Sequence, residues 1–217
     1  MMMPPLLDRL AAHRIVPVVT ATTADEGARI AAALAEGGLP VAEITFRTAA
    51  AAAAIEAASA RGDVLIGAGT VIRPDQVDAA VSAGARFIVS PGTSRAVMER
   101  CREHGVPIVP GAVTATEIQS ALEHGAPAVK FFPAESSGGA ASLRALSAPF
   151  ADVRFLPTGG ISPKNIHDYL AIPSVLAVGG SWMLPADAVR AGDWDRIVRL
   201  TREAVAIAES ERTTALR

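Results

Sequence analysis

The chain has one cysteine and two lysines in 217 residues, and each scarcity excludes something. A lone thiol, Cys101, cannot staple the fold internally and fits a reducing compartment. It lies in the helix-like run Val97-Met98-Glu99-Arg100-Cys101-Arg102 and reads as a spectator. The leading Met1-Met2-Met3-Pro4-Pro5 has neither a basic n-region nor a long apolar stretch, so no signal peptide is expected. No apolar run reaches the length of a membrane span, and a cytoplasmic protein is expected. A net charge of −2 argues against nucleic acid or an anionic membrane as an obligate partner. The histidines, His13, His104, His124 and His167, form no ligand spacing with Cys101 or with one another, so neither a metal nor another cofactor is expected. Val19-Thr20-Ala21-Thr22-Thr23 is not the glycine fingerprint that follows the first strand of a dinucleotide-binding sheet. No linker or composition shift marks a second domain.

What is present is regular. Half of the residues are hydrophobic and 19% are charged, ample material for a core. After a short leading helix (about Leu6 to His13) come eight apolar β-type runs, at 15–19, 41–45, 64–67, 87–89, 106–109, 128–131, 153–156 and 175–178. Ala-rich helical stretches separate them, clearest at Ala28 to Ala35 and Ala49 to Ala60. Gly37-Gly38, Gly84-Ala85 and Gly125-Ala126 follow helices where a left-handed cap is expected. Strands alternating with helices imply a parallel sheet. Eight units in this length predict an α/β protein, a single (β/α)8 TIM barrel spanning 1–217 with a short N-terminal helix. In such a barrel the chemistry sits at the C-terminal ends of the strands.

The sixth run contains Lys130, in a chain that otherwise carries positive charge on 18 arginines and Lys164. Arg keeps its proton in a protein, whereas a buried Lys can lose it and attack a carbonyl. An unperturbed Lys, with pKa near 10.4, is neutral in only about 1 molecule in 2,500 at pH 7; desolvation and a nearby Arg47 would raise that fraction. A Lys snorkelling from a strand end is the plainer alternative. Period-two alternation puts Lys130 and Phe132 on one face, and Glu43, Thr45 and Arg47 on one face of the second strand. If both faces look inward, Lys130 and Glu43 converge. Glu43 then suits proton transfer and Arg47 suits two-point binding of a carboxylate, the alternative being a Glu43–Arg47 pair that closes the core. Thr70, after Gly67-Ala68-Gly69, can donate to a carboxylate, and Pro91 in Ser90-Pro91-Gly92 is a candidate to line the pocket. The seventh and eighth runs end Thr158-Gly159-Gly160 and Gly179-Gly180-Ser181, where barrels often bind phosphate through exposed amides; plain loop glycines are the alternative. With no metal spacing, an electron sink has to come covalently, from Lys130.

Taken together, these motifs resemble the 2-keto-3-deoxy-6-phosphogluconate (KDPG) aldolase family, class I aldolases that also act on 4-hydroxy-2-oxoglutarate. The resemblance runs from Val16-Pro17-Val18 through Glu43-Ile44-Thr45-Phe46-Arg47-Thr48, Gly67-Ala68-Gly69-Thr70-Val71 and Val89-Ser90-Pro91-Gly92. It continues through the highly specific Lys130-Phe131-Phe132-Pro133-Ala134-Glu135, then Pro157-Thr158-Gly159-Gly160-Ile161 and Gly179-Gly180-Ser181-Trp182-Met183. It implies Lys130 as the Schiff-base lysine and Glu43 as the general acid/base. Arg47 and Thr70 would hold the pyruvate carboxylate; Gly159, Gly160, Gly180 and Ser181 would hold the phosphate, with Pro91, Phe132 and Thr158 lining the pocket. A phosphorylated keto acid as substrate and a homotrimer are implied too. Relatives acting on the galactonate epimer match less well, since they carry a Pro after the Glu-Ile pair and an Asn-type residue where Arg47 stands. The family often has Thr-Pro where this chain has Thr114-Ala115, a change its helix start is expected to tolerate. Readings from other classes are a phosphosugar-binding barrel without turnover and a phosphate-binding barrel enzyme using Glu43 and Lys130 as acid and base.

Overall fold

The computed structural model describes residues 5–126 and 128–215. The leading residues Met1–Pro4, the proline at 127 that bounds the Lys130 run, and the end of the tail at 216–217 lie outside the described residues. The elements run α1 (Pro5–His13), β1 (Ile15–Val19), α2 (Ala24–Glu36), β2 (Val41–Thr45), α3 (Ala51–Ser59), β3 (Leu65–Gly69), α4 (Pro74–Ser82), β4 (Ile88–Val89) and α5 (Arg95–Glu103). They continue β5 (Ile108–Val109), α6 (Ala115–Glu123), β6 (Ala128–Val129), a 3-10 turn (Glu135–Ser137), α7 (Gly139–Ser147), β7 (Arg154–Phe155), α8 (Ile166–Leu170), β8 (Val178–Gly180), α9 (Ala186–Ala191) and α10 (Trp194–Ala215).

All strand pairings are parallel, as the alternation requires. The eight strands expected of the barrel are all present, in two hydrogen-bonded sets. Six form a curled sheet in the order β5-β4-β3-β2-β1-β8, and β6 and β7 pair separately. Single bridges, Gly111 to Lys130, Phe155 to Val175 and Thr158 to Gly179, tie that pair to its neighbours. The eighth run also begins later than its apolar residues suggest. Val175 bridges to Phe155, and the ladder with β1 starts only at Val178, opposite Ile15. Val175 to Val178 is apolar because it is buried, and burial alone does not say which neighbour a strand pairs with.

Strands β2 and β3 are buried at every position, as expected of parallel strands covered on both faces. Helices α2 and α3 cover them and pack closely on each other. A Cβ at Gly27 would fall 2.7 Å from the Ala54 Cβ, so glycine there permits the approach. The helix starts are locally determined: Thr23 Oγ1 accepts from Glu26 N at 3.1 Å, with Asp25 and Glu26 in the first turn of α2. Helix α6 tolerates Ala115, because Thr114 and Glu117 form a capping box in which Glu117 Oε2 receives the N–H of Val113 at 2.9 Å and of Thr114 at 3.0 Å. Among the described residues no helix is long and apolar enough to cross a membrane.

Candidate active site

Strand β2 carries Glu43 into the interior, where the residue is fully buried. Its register partners are Val18 on β1 and Gly67 on β3. The space it occupies is created by glycine, since a Cβ at Gly69 would lie 2.6 Å from the Glu43 Cδ. On β2, Thr45 shares the face of Glu43 and ties the strand to β1, its hydroxyl donating to Val19 O at 2.9 Å.

Lys130 comes in from the other side. Its N–H donates to Pro110 O at 2.7 Å and its C=O accepts from Ala112 N at 2.9 Å. The next residue turns to β7, with Phe131 N donating to Leu156 O at 3.2 Å and Thr158 N donating to Phe131 O at 2.9 Å. That alternation sends Lys130 and Phe131 to opposite faces. The Lys130 side chain is 4% exposed, so it does not snorkel, and its Nζ donates to Glu43 Oε1 at 3.1 Å. The Phe132 ring packs over the amine, 5.0 Å from Nζ to the centroid. Glu43 Oε2 is buried without a protein hydrogen bond. An orphaned buried acceptor is costly and points to a donor that arrives with a ligand.

The alternative in which Glu43 and Arg47 close the core is not what the chain does. Glu43 pairs with Lys130, and Arg47 is exposed in the turn after β2, with no ion pair or side-chain hydrogen bond among the described residues. Its guanidinium is available to an anion. Thr70 sits at the end of β3 with φ 56, a left-handed conformation costing a β-branched residue about 1–3 kcal/mol. Pro91 is half-buried and its backbone crowds Gly111, which pairs with Lys130.

The Thr158–Gly179 bridge brings the ends of β7 and β8 together. Thr158 is buried. Gly159 and Gly160 follow with φ 105 and φ 78, conformations that glycine alone adopts readily. The carbonyls of Thr158 and Gly159 accept from Ala134 N at 2.8 Å and Glu135 N at 3.1 Å. In a trans peptide the N–H points opposite to the C=O, so the Gly159 and Gly160 amides face away from that loop. Neither amide has a protein acceptor among the described residues. Gly180 is buried beneath the Trp182 ring, and the exposed Ser181 adds a hydroxyl at the same edge. Free amides and a hydroxyl are the groups an oxyanion needs.

Several residues were not legible as part of the site. Gly69 makes room for the Glu43 carboxylate, a role that its place in Gly67-Ala68-Gly69 does not reveal. Asn165 donates from Nδ2 to Gly160 O at 3.2 Å, a contact across a loop that no spacing rule reveals. Cys101 is fully buried on α5, and burial pushes its thiol pKa up to about 12, consistent with a spectator. The histidines lie on or beside helices α1, α5, α6 and α8. Among the described residues, no three of His, Cys, Asp and Glu are grouped as metal ligands.

A buried amine held against a buried carboxylate in the interior of a parallel α/β fold is the arrangement of an enzyme that forms an imine with a carbonyl substrate. Comparison with known proteins narrows that class. The family model for KDPG and KHG aldolase matches residues 6–200. The 2-dehydro-3-deoxy-phosphogluconate aldolase of Treponema pallidum is 47% identical over 203 residues, 93% of this chain and 97% of that one. The KHG/KDPG aldolase of Escherichia coli is 46% identical over 192 residues, 88% of this chain and 90% of that one. Among solved structures, the KDPG aldolase of Legionella pneumophila, with pyruvate captured as a covalent carbinolamine, superposes with a TM-score of 0.86 at 40% identity, covering 89% of this chain and 95% of that one. The chain belongs to the KDPG and KHG aldolase family.

Proposed function

We propose that the chain is a class I aldolase cleaving 2-keto-3-deoxy-6-phosphogluconate to pyruvate and glyceraldehyde-3-phosphate, and 4-hydroxy-2-oxoglutarate to pyruvate and glyoxylate, through a Schiff base on Lys130. The observation that carries this reading is the buried contact of Lys130 Nζ with Glu43 Oε1 at 3.1 Å. Neutral Lys130 attacks the C2 ketone, and Glu43 moves the protons that let water leave the carbinolamine. The iminium then draws the electron pair of the C3–C4 bond as it breaks, while Glu43 takes the C4 hydroxyl proton. The aldehyde leaves, the enamine is protonated at C3, and water hydrolyses the iminium to release pyruvate and restore the amine. Glu43 Oε2 supports this double duty, being a buried acceptor with no protein partner.

Arg47 and Thr70 hold the pyruvate carboxylate in this reading, and Gly159, Gly160, Gly180 and Ser181 hold the phosphate, with Pro91, Phe132 and Thr158 lining the pocket. The three single bridges support a closed (β/α)8 barrel in which β6 and β7 complete the sheet, and hence a single domain over 1–217. A homotrimer and a cytoplasmic location accompany the family reading. The test is pyruvate release from both substrates by the wild type and Lys130→Arg, which keeps the charge but forms no imine. The variant is expected to lose at least about ten-thousand-fold in kcat/KM on each. Full activity in Lys130→Arg contradicts the mechanism, and turnover of neither substrate by the folded wild type contradicts the function.

A further inference from the structure

The motif that identifies the family ends in Glu135, which the imine chemistry does not use. Its N–H anchors the Gly159 carbonyl at 3.1 Å, and its side chain fills the space beside Gly160, where an added Cβ would fall 2.7 Å from the Glu135 Cβ. The carboxylate accepts a hydrogen bond from the hydroxyl of Tyr169, the chain's single tyrosine, which is fully buried on α8. Asn165, immediately before α8, donates to Gly160 O at 3.2 Å while its Oδ1 accepts from Ser162 N at 2.8 Å. The Gly159–Gly160 turn is therefore clamped from both sides, by Glu135 through Tyr169 and by Asn165.

We propose that Glu135, Tyr169 and Asn165 are positioning residues that hold the Gly159 and Gly160 amides in line for a phosphate and thereby set the preference for phosphorylated over unphosphorylated keto acids. This rests on the reading of those amides as the phosphate site. A carboxylate beside an anion site is unfavourable unless its charge is satisfied elsewhere, and the Tyr169 hydroxyl does that at Oε1. Burial, then the bond to Glu135, raises the Tyr169 pKa above the ordinary phenol value, so the proton stays on the donor at working pH. The glycines supply conformations but no rigidity of their own, and a turn with φ 105 and φ 78 keeps one geometry only if its surroundings impose it.

The experiment measures kcat and KM of wild type, Tyr169→Phe, Asn165→Ala, Glu135→Ala and Glu135→Gln on KDPG and on 4-hydroxy-2-oxoglutarate, which lacks the phosphate, with inorganic phosphate as inhibitor of both reactions. Tyr169→Phe is expected to raise KM for KDPG relative to that for 4-hydroxy-2-oxoglutarate by about tenfold, and to weaken inhibition by phosphate in parallel. Asn165→Ala moves the ratio the same way by a smaller factor. Glu135→Gln, which keeps an oxygen to receive the Tyr169 hydroxyl, holds the ratio closer to wild type than Glu135→Ala. If phosphate inhibits the wild type while Tyr169→Phe and Asn165→Ala leave both the ratio and the inhibition unchanged, the clamp is wrong and the phosphate site stands. A loss that falls equally on the two substrates shows a structural role only and also overturns the proposal. If phosphate does not inhibit the wild type and Ser181→Ala leaves the ratio unchanged, the phosphate site itself is wrong, and the clamp with it.

Discussion

Strands β1 to β3 and strands β6 to β7 solve the same packing problem differently. The first three hold five residues each in continuous ladders, with Val41 to Thr45 paired residue by residue to Leu65 to Gly69. The other two hold two residues each and meet their neighbours through single bridges. Glu43 stands in the regular region and Lys130 just past the end of the two-residue strand β6, so the reactive pair spans the boundary between them. A regular ladder suits a carboxylate that must be held buried at one spot. At Lys130 the ladder is short: its backbone bonds to Pro110 and Ala112 just past β5, the next residue bonds to Leu156 and Thr158 just past β7, and the chain then turns into the loop with Glu135. Regularity holds the Glu43 carboxylate in place, and irregularity lets the chain turn past Lys130 into the loop with Glu135.

The strongest way to break this arrangement is to remove one member of the pair. Lys130→Met leaves Glu43 buried without its partner and is expected to destabilise the protein by about 3–5 kcal/mol, besides abolishing activity. Adding Glu43→Gln should restore most of that stability and none of the activity; urea denaturation of the two single variants and the double variant measures the coupling. Next comes Gly69→Ala, which drives a methyl into the Glu43 carboxylate. A loss of about 1–3 kcal/mol is expected from overpacking, with kcat reduced about a hundredfold as the carboxylate is displaced; denaturation and steady-state kinetics separate the two. Thr45→Val should cost about 1 kcal/mol, since it removes the hydroxyl bonded to Val19 O inside the regular region.

The smallest effects fall on the helical periphery. Thr114→Ala removes the cap of α6 and should cost about 1 kcal/mol in thermal or chemical denaturation while leaving kcat/KM unchanged. The Val113 amide, followed by the Thr114 hydroxyl and amide, holds the Glu117 carboxyl below its ordinary pKa of 4.5. A carboxyl whose folded pKa is depressed stabilises the fold above its unfolded pKa, and that contribution is lost as pH falls through the lowered folded value. Glu117→Gln should therefore reduce the difference in stability between pH 6 and pH 3 slightly, the group being mostly exposed; no change in that difference would remove the cap from the acid response.

The sequence makes the strands of the regular region legible because burial on both faces leaves long apolar runs whose ends coincide with the ladders, as at Ile15–Val19 and Val41–Thr45. It makes the pair legible because alternation sets Glu43 and Lys130 each on a face that brings them together if both look inward, and a rare lysine in an apolar run marks itself. Where pairing stops short of the apolar run, the pattern misleads. The run at 106–109 keeps only Ile108 and Val109 in its strand, the run at 128–131 only Ala128 and Val129 with a single further bridge at Lys130, and β8 starts three positions late. Gly69 and the partnership of Glu135 with Tyr169 stayed hidden for another reason, since they depend on residues far apart in the chain meeting in space.

The central claim is that Lys130 forms an imine with the keto acid. It is tested most directly by reducing the protein with borohydride in the presence of pyruvate, then measuring intact mass and mapping the modified peptide. One pyruvyl adduct, on the peptide containing Lys130 and absent from Lys130→Arg, is the predicted result. A folded protein that acquires no adduct, or acquires it at Lys164, contradicts the account.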